Sequence, residues 1–165
     1  MTDVQITKKG TIVTAEISGN ITGECPLFSA DLSGIQELWI DLSKMQYLNS
    51  LGVKHWVLWT GSLKPTLKIT MSKCPSSIIN QVNMVAGFLP PAAIIESFYI
   101  PYSCEKCSQE SSLLHENGKH FVMGNPQRPG WITPIATNPC PKCKVDMEPD
   151  VVFDQYFAFL KIKKA

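Results

Sequence analysis

Apolar and polar residues alternate along Val4–Thr7 and again along Thr11–Ser18, on either side of Lys8-Lys9-Gly10. That period predicts a β-hairpin with one buried face. Gly19-Asn20 and Gly23 break the pattern, and Cys25–Ser33 has room for no more than two helical turns. Leu38-Trp39-Ile40, a short apolar run closed by Asp41, predicts a strand covered on both faces, followed by a short exposed turn. Asn49 and Ser50 then stand where a helix N-cap is expected, and either side chain can accept from the free N–H groups of the first turn. On a helical wheel Trp59, Gly52, Leu63, Trp56, Thr60, Val53 and Val57 share one arc, the expected core face. The opposite arc carries Gly61, Lys54, Leu58, Leu51, Ser62 and His55, which predicts a small exposed apolar stripe at the helix start.

Leu67, Ile69 and Met71 alternate with Thr66, Lys68 and Thr70 and predict a further strand. Pro75 suits a helix N1 position. Ile78, Ile79, Val82, Val85 and Ala86 then recur at helical spacing, until Gly87 and Pro90-Pro91 end the element. Ala93–Ile100 predicts a last strand. The order β-β-(short α)-β-α-β-α-β implies an α/β domain over 1–100, a mixed sheet flanked by helices. From Pro101 the composition shifts to polar loops with two cysteine pairs, a second subdomain over 101–165. Val151–Ile162, rich in aromatic and branched residues, predicts a strand that packs back on the first domain near Ser97–Tyr102.

Composition changes this picture little. A chain of 165 residues with a formal net charge of +1 is long enough for a real core, and no global field draws it toward nucleic acid or anionic membrane. No apolar run approaches the roughly 20 residues of a membrane helix, and MTDVQITKKG lacks the layout of a secretion signal, so a cytoplasmic location is expected. In a reducing compartment, paired cysteines point to metal more than to disulfides.

Cys104-Glu-Lys-Cys107 and Cys140-Pro-Lys-Cys143 form a CxxC…CxxC set. Two cysteines three apart on a tight turn aim both thiolates at one centre, and two such turns complete a tetrahedral Cys₄ zinc site. A closed set of this kind is structural, so zinc is expected to hold a small β zinc ribbon together. The 32 residues between Cys107 and Cys140 exceed the usual spacing and predict extra strands inside the ribbon. His115 and His120 lie in that insertion, but four cysteines already fill the tetrahedron. Cys25 and Cys74 stand alone and are read as buried small hydrophobes.

Residues 101–165 carry eight Lys/Arg against seven Asp/Glu. Zinc with four thiolates adds about −2, which leaves the ribbon near neutral apart from the tail Lys161–Lys164. A nucleic-acid role is therefore disfavoured.

Ile17-Ser18-Gly19, Ile40-Asp41-Leu42-Ser43 and Tyr47-Leu48-Asn49-Ser50-Leu51-Gly52-Val53 together resemble the STAS domain, the fold of bacterial anti-sigma-factor antagonists and of sulfate-transporter tails. The resemblance spans Ile12–Ile95, about half of the chain, and Ser76–Phe88 matches the helix that follows. It implies that the start of the helix docks on a protein partner, a serine kinase/anti-sigma factor or a receptor component, and that phosphate on the hydroxyl before the glycine breaks the contact. Here that position is Leu51, which cannot accept phosphate. Ser50 remains, as a substitute acceptor or as the N-cap. Asn49, Ser50, Leu51, His55 and Leu58 are the expected partner face. The alternative is that the chain's own ribbon covers the leucines.

No nucleophile with its base, no carboxylate pair, no open metal position and no phosphate-binding glycine loop stands out, so the chain reads as a non-catalytic signalling module. A nucleic-acid-associated zinc-ribbon protein is the second reading.

Overall fold

The structure, a computed structural model, describes residues 1–162. The chain divides into two compact units, Met1–Glu96 and the residues from Ser97 onward. Lys163 and Lys164 of the basic tail lie outside the described residues.

The first unit runs β1 (Thr2–Lys9), β2 (Ile12–Ile21), a 3-10 helix (Pro26–Ser29), β3 (Glu37–Leu48), α1 (Ser50–Ser62), β4 (Lys68–Ser72), α2 (Ser76–Met84) and β5 (Ile94–Ile95). Its five strands lie in the order β1-β2-β3-β4-β5. The β1–β2 hairpin is antiparallel and every later pairing is parallel, so the sheet is mixed, as the element order predicts. Alternation sets the burial: Val13, Ala15 and Ile17 on β2, Leu38, Ile40 and Leu42 on β3, and Ile69 and Met71 on β4 are all buried.

Two expectations about β3 need correction. Trp39 is 36% exposed, so the strand is covered on one face only. The strand also does not stop at Asp41 but continues to Leu48, directly before the helix. The reason is two irregularities in its pairing with β2. Glu16 faces Asp41 but Ser18 faces Lys44, and Gly19 faces Met45 but Asn20 faces Tyr47, so β3 carries one extra residue at each step. Leu42 and Met45 are both buried although three residues apart. A period-two pattern cannot survive that.

Aromatic side chains anchor α1 from within its own unit. Trp56 stacks on Phe88 with ring centroids 5.2 Å apart, and its indole N–H donates to the Phe88 carbonyl at 2.9 Å. Trp59 meets Trp56 edge-on at 5.4 Å, and Phe28 of the 3-10 helix lies 5.8 Å from Trp59. Trp56, Trp59, Gly52 and Thr60 are the buried residues of the helix, all on the arc expected to face the core.

In the second unit β6 (Ser97–Ser103) pairs antiparallel with β7 (Glu110–Glu116). A short pair forms between β8 (Phe121–Val122) and β9 (Trp131–Ile132), and β10 (Glu148–Pro149) joins the other edge of β6. The single strand expected over Ala93–Ile100 is therefore two. Ile94-Ile95 closes the first sheet, while Ser97 onward belongs to the second, with Phe98 facing His115 and Ile100 facing Leu113.

The strand expected over Val151–Ile162 is instead a turn of helix, α3 (Phe153–Tyr156), followed by a 3-10 turn, Ala158–Leu160. Tyr156, Phe157, Phe159 and Leu160 are the buried residues, at offsets of 0, 1, 3 and 4. That is helical spacing, which the aromatic composition conceals. Phe159 and Phe157 pack against Phe98 at 5.2 and 6.3 Å, so this segment completes the core of its own unit.

Candidate metal centre and docking helix

Each cysteine pair sits on a turn of the same construction. In the first, the Ser108 N–H donates to the Cys104 carbonyl at 2.8 Å and the Cys104 N–H to the Gln109 carbonyl at 2.9 Å. In the second, the Lys144 N–H donates to the Cys140 carbonyl at 2.9 Å and the Cys140 N–H to the Val145 carbonyl at 2.8 Å. Ser108 and Lys144, each directly after the second cysteine of its pair, have φ of 61°. A non-glycine residue held in the left-handed region signals a turn fixed by its surroundings. The sequence marks the cysteines but hides these two residues, because neither is a glycine.

The two turns bring Cys104, Cys107, Cys140 and Cys143 together with all four Sγ atoms within 4.8 Å of one another. Cys107 Sγ lies 3.5 Å from Cys140 Sγ. Tetrahedral thiolates at about 2.3 Å from a metal stand about 3.8 Å apart, so four cysteines so placed can hold a metal ion with little movement. Cys104 and Cys140 are buried, whereas Cys107 and Cys143 are half-buried. The backbone N–H of Cys143 points at Cys140 and lowers its thiol to about 7. A hydrogen bond with Cys107 and burial push the Cys143 thiol up to about 12.

Neither histidine of the insertion joins this cluster. His115 is fully buried: its Nδ1–H donates to the Leu113 carbonyl at 2.9 Å, and its Nε2 accepts from the Ile135 N–H at 3.0 Å. Burial, reinforced by His120, holds His115 below its ordinary pKa. The Tyr102 hydroxyl donates to the Ile135 carbonyl at 2.8 Å, and burial pushes that phenol up to about 12. His120 Nδ1 accepts from the Glu116 N–H at 3.0 Å. Cys25 and Cys74 are buried, and burial raises both thiols.

On α1 the cap is Asn49, whose side chain accepts from the Gly52 N–H at 2.7 Å. Ser50 does not cap. It is the first helical residue and is exposed. Asn49, held in extended backbone at φ −91° and ψ 170° one residue before the helix, turns its side-chain carbonyl onto the third N–H of the turn.

Leu51 and Leu58 are 53% and 62% exposed. His55, expected beside them in solvent, is only half-buried rather than free. Its ring stacks on Phe28 with centroids 6.4 Å apart and planes 20° from parallel. The loop at Gly23 also approaches it, since a Cβ built there would lie 3.0 Å from Leu51 Cγ and 3.1 Å from His55 Cδ2. Phe28 and Gly23 thus shape this surface, and the sequence pattern pointed to neither. Gly52 has a clearer signal. A Cβ on it would lie 2.3 Å from the Ile21 carbonyl oxygen, so the helix start rests directly on the end of β2 and only glycine fits.

No family model and no curated protein matches the chain. Among solved structures the chain is similar to an uncharacterized protein of the DUF3478 family with a SpoIIAA-like fold from Shewanella loihica PV-4. The identity is 15% and the TM-score 0.41, over 59% of this chain and 84% of that one. Among the described residues, no helix is long and apolar enough to cross a membrane.

Proposed function

We propose that the chain is a non-catalytic regulatory module that binds another protein through the exposed start of α1, and that the four cysteines hold a structural zinc ion. The observation that carries the docking role is the pair Leu51 and Leu58, two leucines one heptad apart and more than half exposed on a helix whose other face is anchored by Trp56 and Trp59. Asn49 fixes where that helix begins, so the leucines are presented on a rigid element. The partner class, a serine kinase/anti-sigma factor, rests on the resemblance of Tyr47–Val53 to the STAS motif. Leu51 stands where the phospho-acceptor belongs, which makes the contact independent of phosphorylation at that position.

Zinc is favoured over other metals because four thiolates in a closed set suit a soft, tetrahedral ion. A closed set leaves no position for substrate, and both nitrogens of His115 are occupied by the fold, so neither offers a catalytic group. Purified chain, tested by interferometry against the anti-sigma serine kinases of its own genome, is expected to bind one of them and to lose that binding at least tenfold on Leu58→Asp. Absence of binding to all of them, or indifference to Leu58→Asp, contradicts the docking role. Binding to duplex DNA that weakens steeply with salt would favour the nucleic-acid reading instead.

A further inference from the structure

Among the described residues no strand pairs with the outer edge of β1, and the 3-10 helix Pro26–Ser29 lies near the strand. The strand borders the sheet on one side, pairs with β2 without a bulge over eight residues, and contains no proline. From Asp3 to Lys9 every residue except the half-buried Val4 is exposed. Natural sheets usually blunt such an edge, because its unpaired N–H and C=O groups recruit another strand. The opposite edge, β5, has only two residues and offers no comparable template.

The hairpin fixes which groups face outward. Gly10, at φ 62°, and Thr11 form a two-residue turn, so Lys9 and Ile12 are the hydrogen-bonded closing pair. Bonding then alternates: Thr7, Gln5 and Asp3 bond inward to β2, and Val4, Ile6 and Lys8 present their N–H and C=O to the free edge. An antiparallel pairing of two copies about a two-fold axis normal to the sheet must join outward-facing residues. With Ile6 opposite Ile6 of the second copy, Val4 faces Lys8 and Asp3 faces Lys9, twice over by symmetry. Shifting the centre to Gln5 puts Asp3 opposite Thr7, and shifting it to Thr7 puts Lys9 opposite Gln5. Only the Ile6 register pairs the carboxylate with a lysine. Among the described residues neither Asp3 nor Lys9 has an ion pair within its own chain. Ile6 itself is 46% exposed, and in this register it covers its own symmetry mate.

We propose that β1 pairs antiparallel with β1 of a second copy, in the register centred on Ile6, joining two five-stranded sheets into one across a symmetric dimer. The surface is distinct from α1, and the proposal does not depend on the docking role. An edge contact of this size is small, so the dimer is concentration-dependent.

Sedimentation equilibrium of the full chain over a wide concentration range tests it. The chain should pass from monomer to dimer. Ile6→Pro should keep it monomeric with unchanged circular dichroism, because that N–H makes no bond to β2. Asp3→Lys and Lys9→Asp should each weaken the dimer about tenfold, by turning two cross-strand attractions into repulsions, and the combined exchange should restore it. A chain that stays monomeric throughout overturns the proposal. So does a dimer that the single reversals leave unchanged, or one that the combined exchange fails to restore.

Discussion

Replacing Gly52 by alanine puts the packing of α1 on β2 to a quantitative test. The new Cβ would lie 2.3 Å from the Ile21 carbonyl oxygen and 3.1 Å from Leu48 Cδ1. An ordinary contact starts at 3.4 Å, so the start of α1 or the end of β2 must move by about 1 Å. Overpacking of this kind costs about 1–3 kcal/mol, and the offending atom is backbone, so the upper half of that range applies. Alanine's better helix propensity returns up to about 1 kcal/mol. The net expectation is a loss of about 1–2 kcal/mol, or roughly 4–15 °C in a unit of this size.

Gly61 supplies the control. It lies in the same helix with nothing within 4 Å of its Cβ position, so Gly61→Ala should stabilise by a few tenths to about 1 kcal/mol. Urea unfolding followed by tryptophan fluorescence measures both, since Trp39, Trp56 and Trp59 all lie in the first unit. Shifts of the same sign in the two variants, or an unchanged midpoint for Gly52→Ala, would refute the argument that the glycine is there for close packing.

Three further outcomes follow from the same structure. The purified chain should carry one zinc per molecule by mass spectrometry under native conditions, and chelation or Cys140→Ser should unfold the second unit while leaving the first folded. His115 is held neutral by burial, with its folded pKa below the unfolded one; its contribution is therefore complete above about pH 6.5 and is lost as the pH falls below that value. His115→Phe should flatten this slope in pH-dependent melting, and should cost about 1–3 kcal/mol by leaving the Ile135 N–H unpartnered. Asn49→Ala removes the bond to the Gly52 N–H and should cost about 1 kcal/mol, whereas Ser50→Ala should change stability by under about 0.5 kcal/mol.

Much of the first unit was legible because its signals are local. The alternation of Val13, Ala15 and Ile17 marks β2, and the helical recurrence of Trp56 and Trp59 with Gly52 marks the buried face of α1. The cysteine spacing likewise announces a four-sulfur cluster. What was hidden depends on pairing partners that a one-dimensional pattern does not contain. The far half of β3 loses its alternation at two bulges, and Ser97 leaves the first sheet because Glu116, not a strand of that sheet, faces it. Val151–Ile162 reads as a strand by residue type, but its buried positions follow helical spacing once Phe98 is available to pack against. On α1 the exposure of Leu51 and Leu58 was readable, while the contact of His55 with Phe28 required the fold of a loop between them.

The central claim, that the exposed start of α1 is a protein-docking surface, is tested most directly by Leu51→Asp measured in two ways on the same preparation. Leu51 is 53% exposed, so the charge should leave the melting temperature within about 2 °C of the parent while partner affinity falls at least tenfold. A melting temperature that drops sharply, or an affinity that does not change, would contradict it.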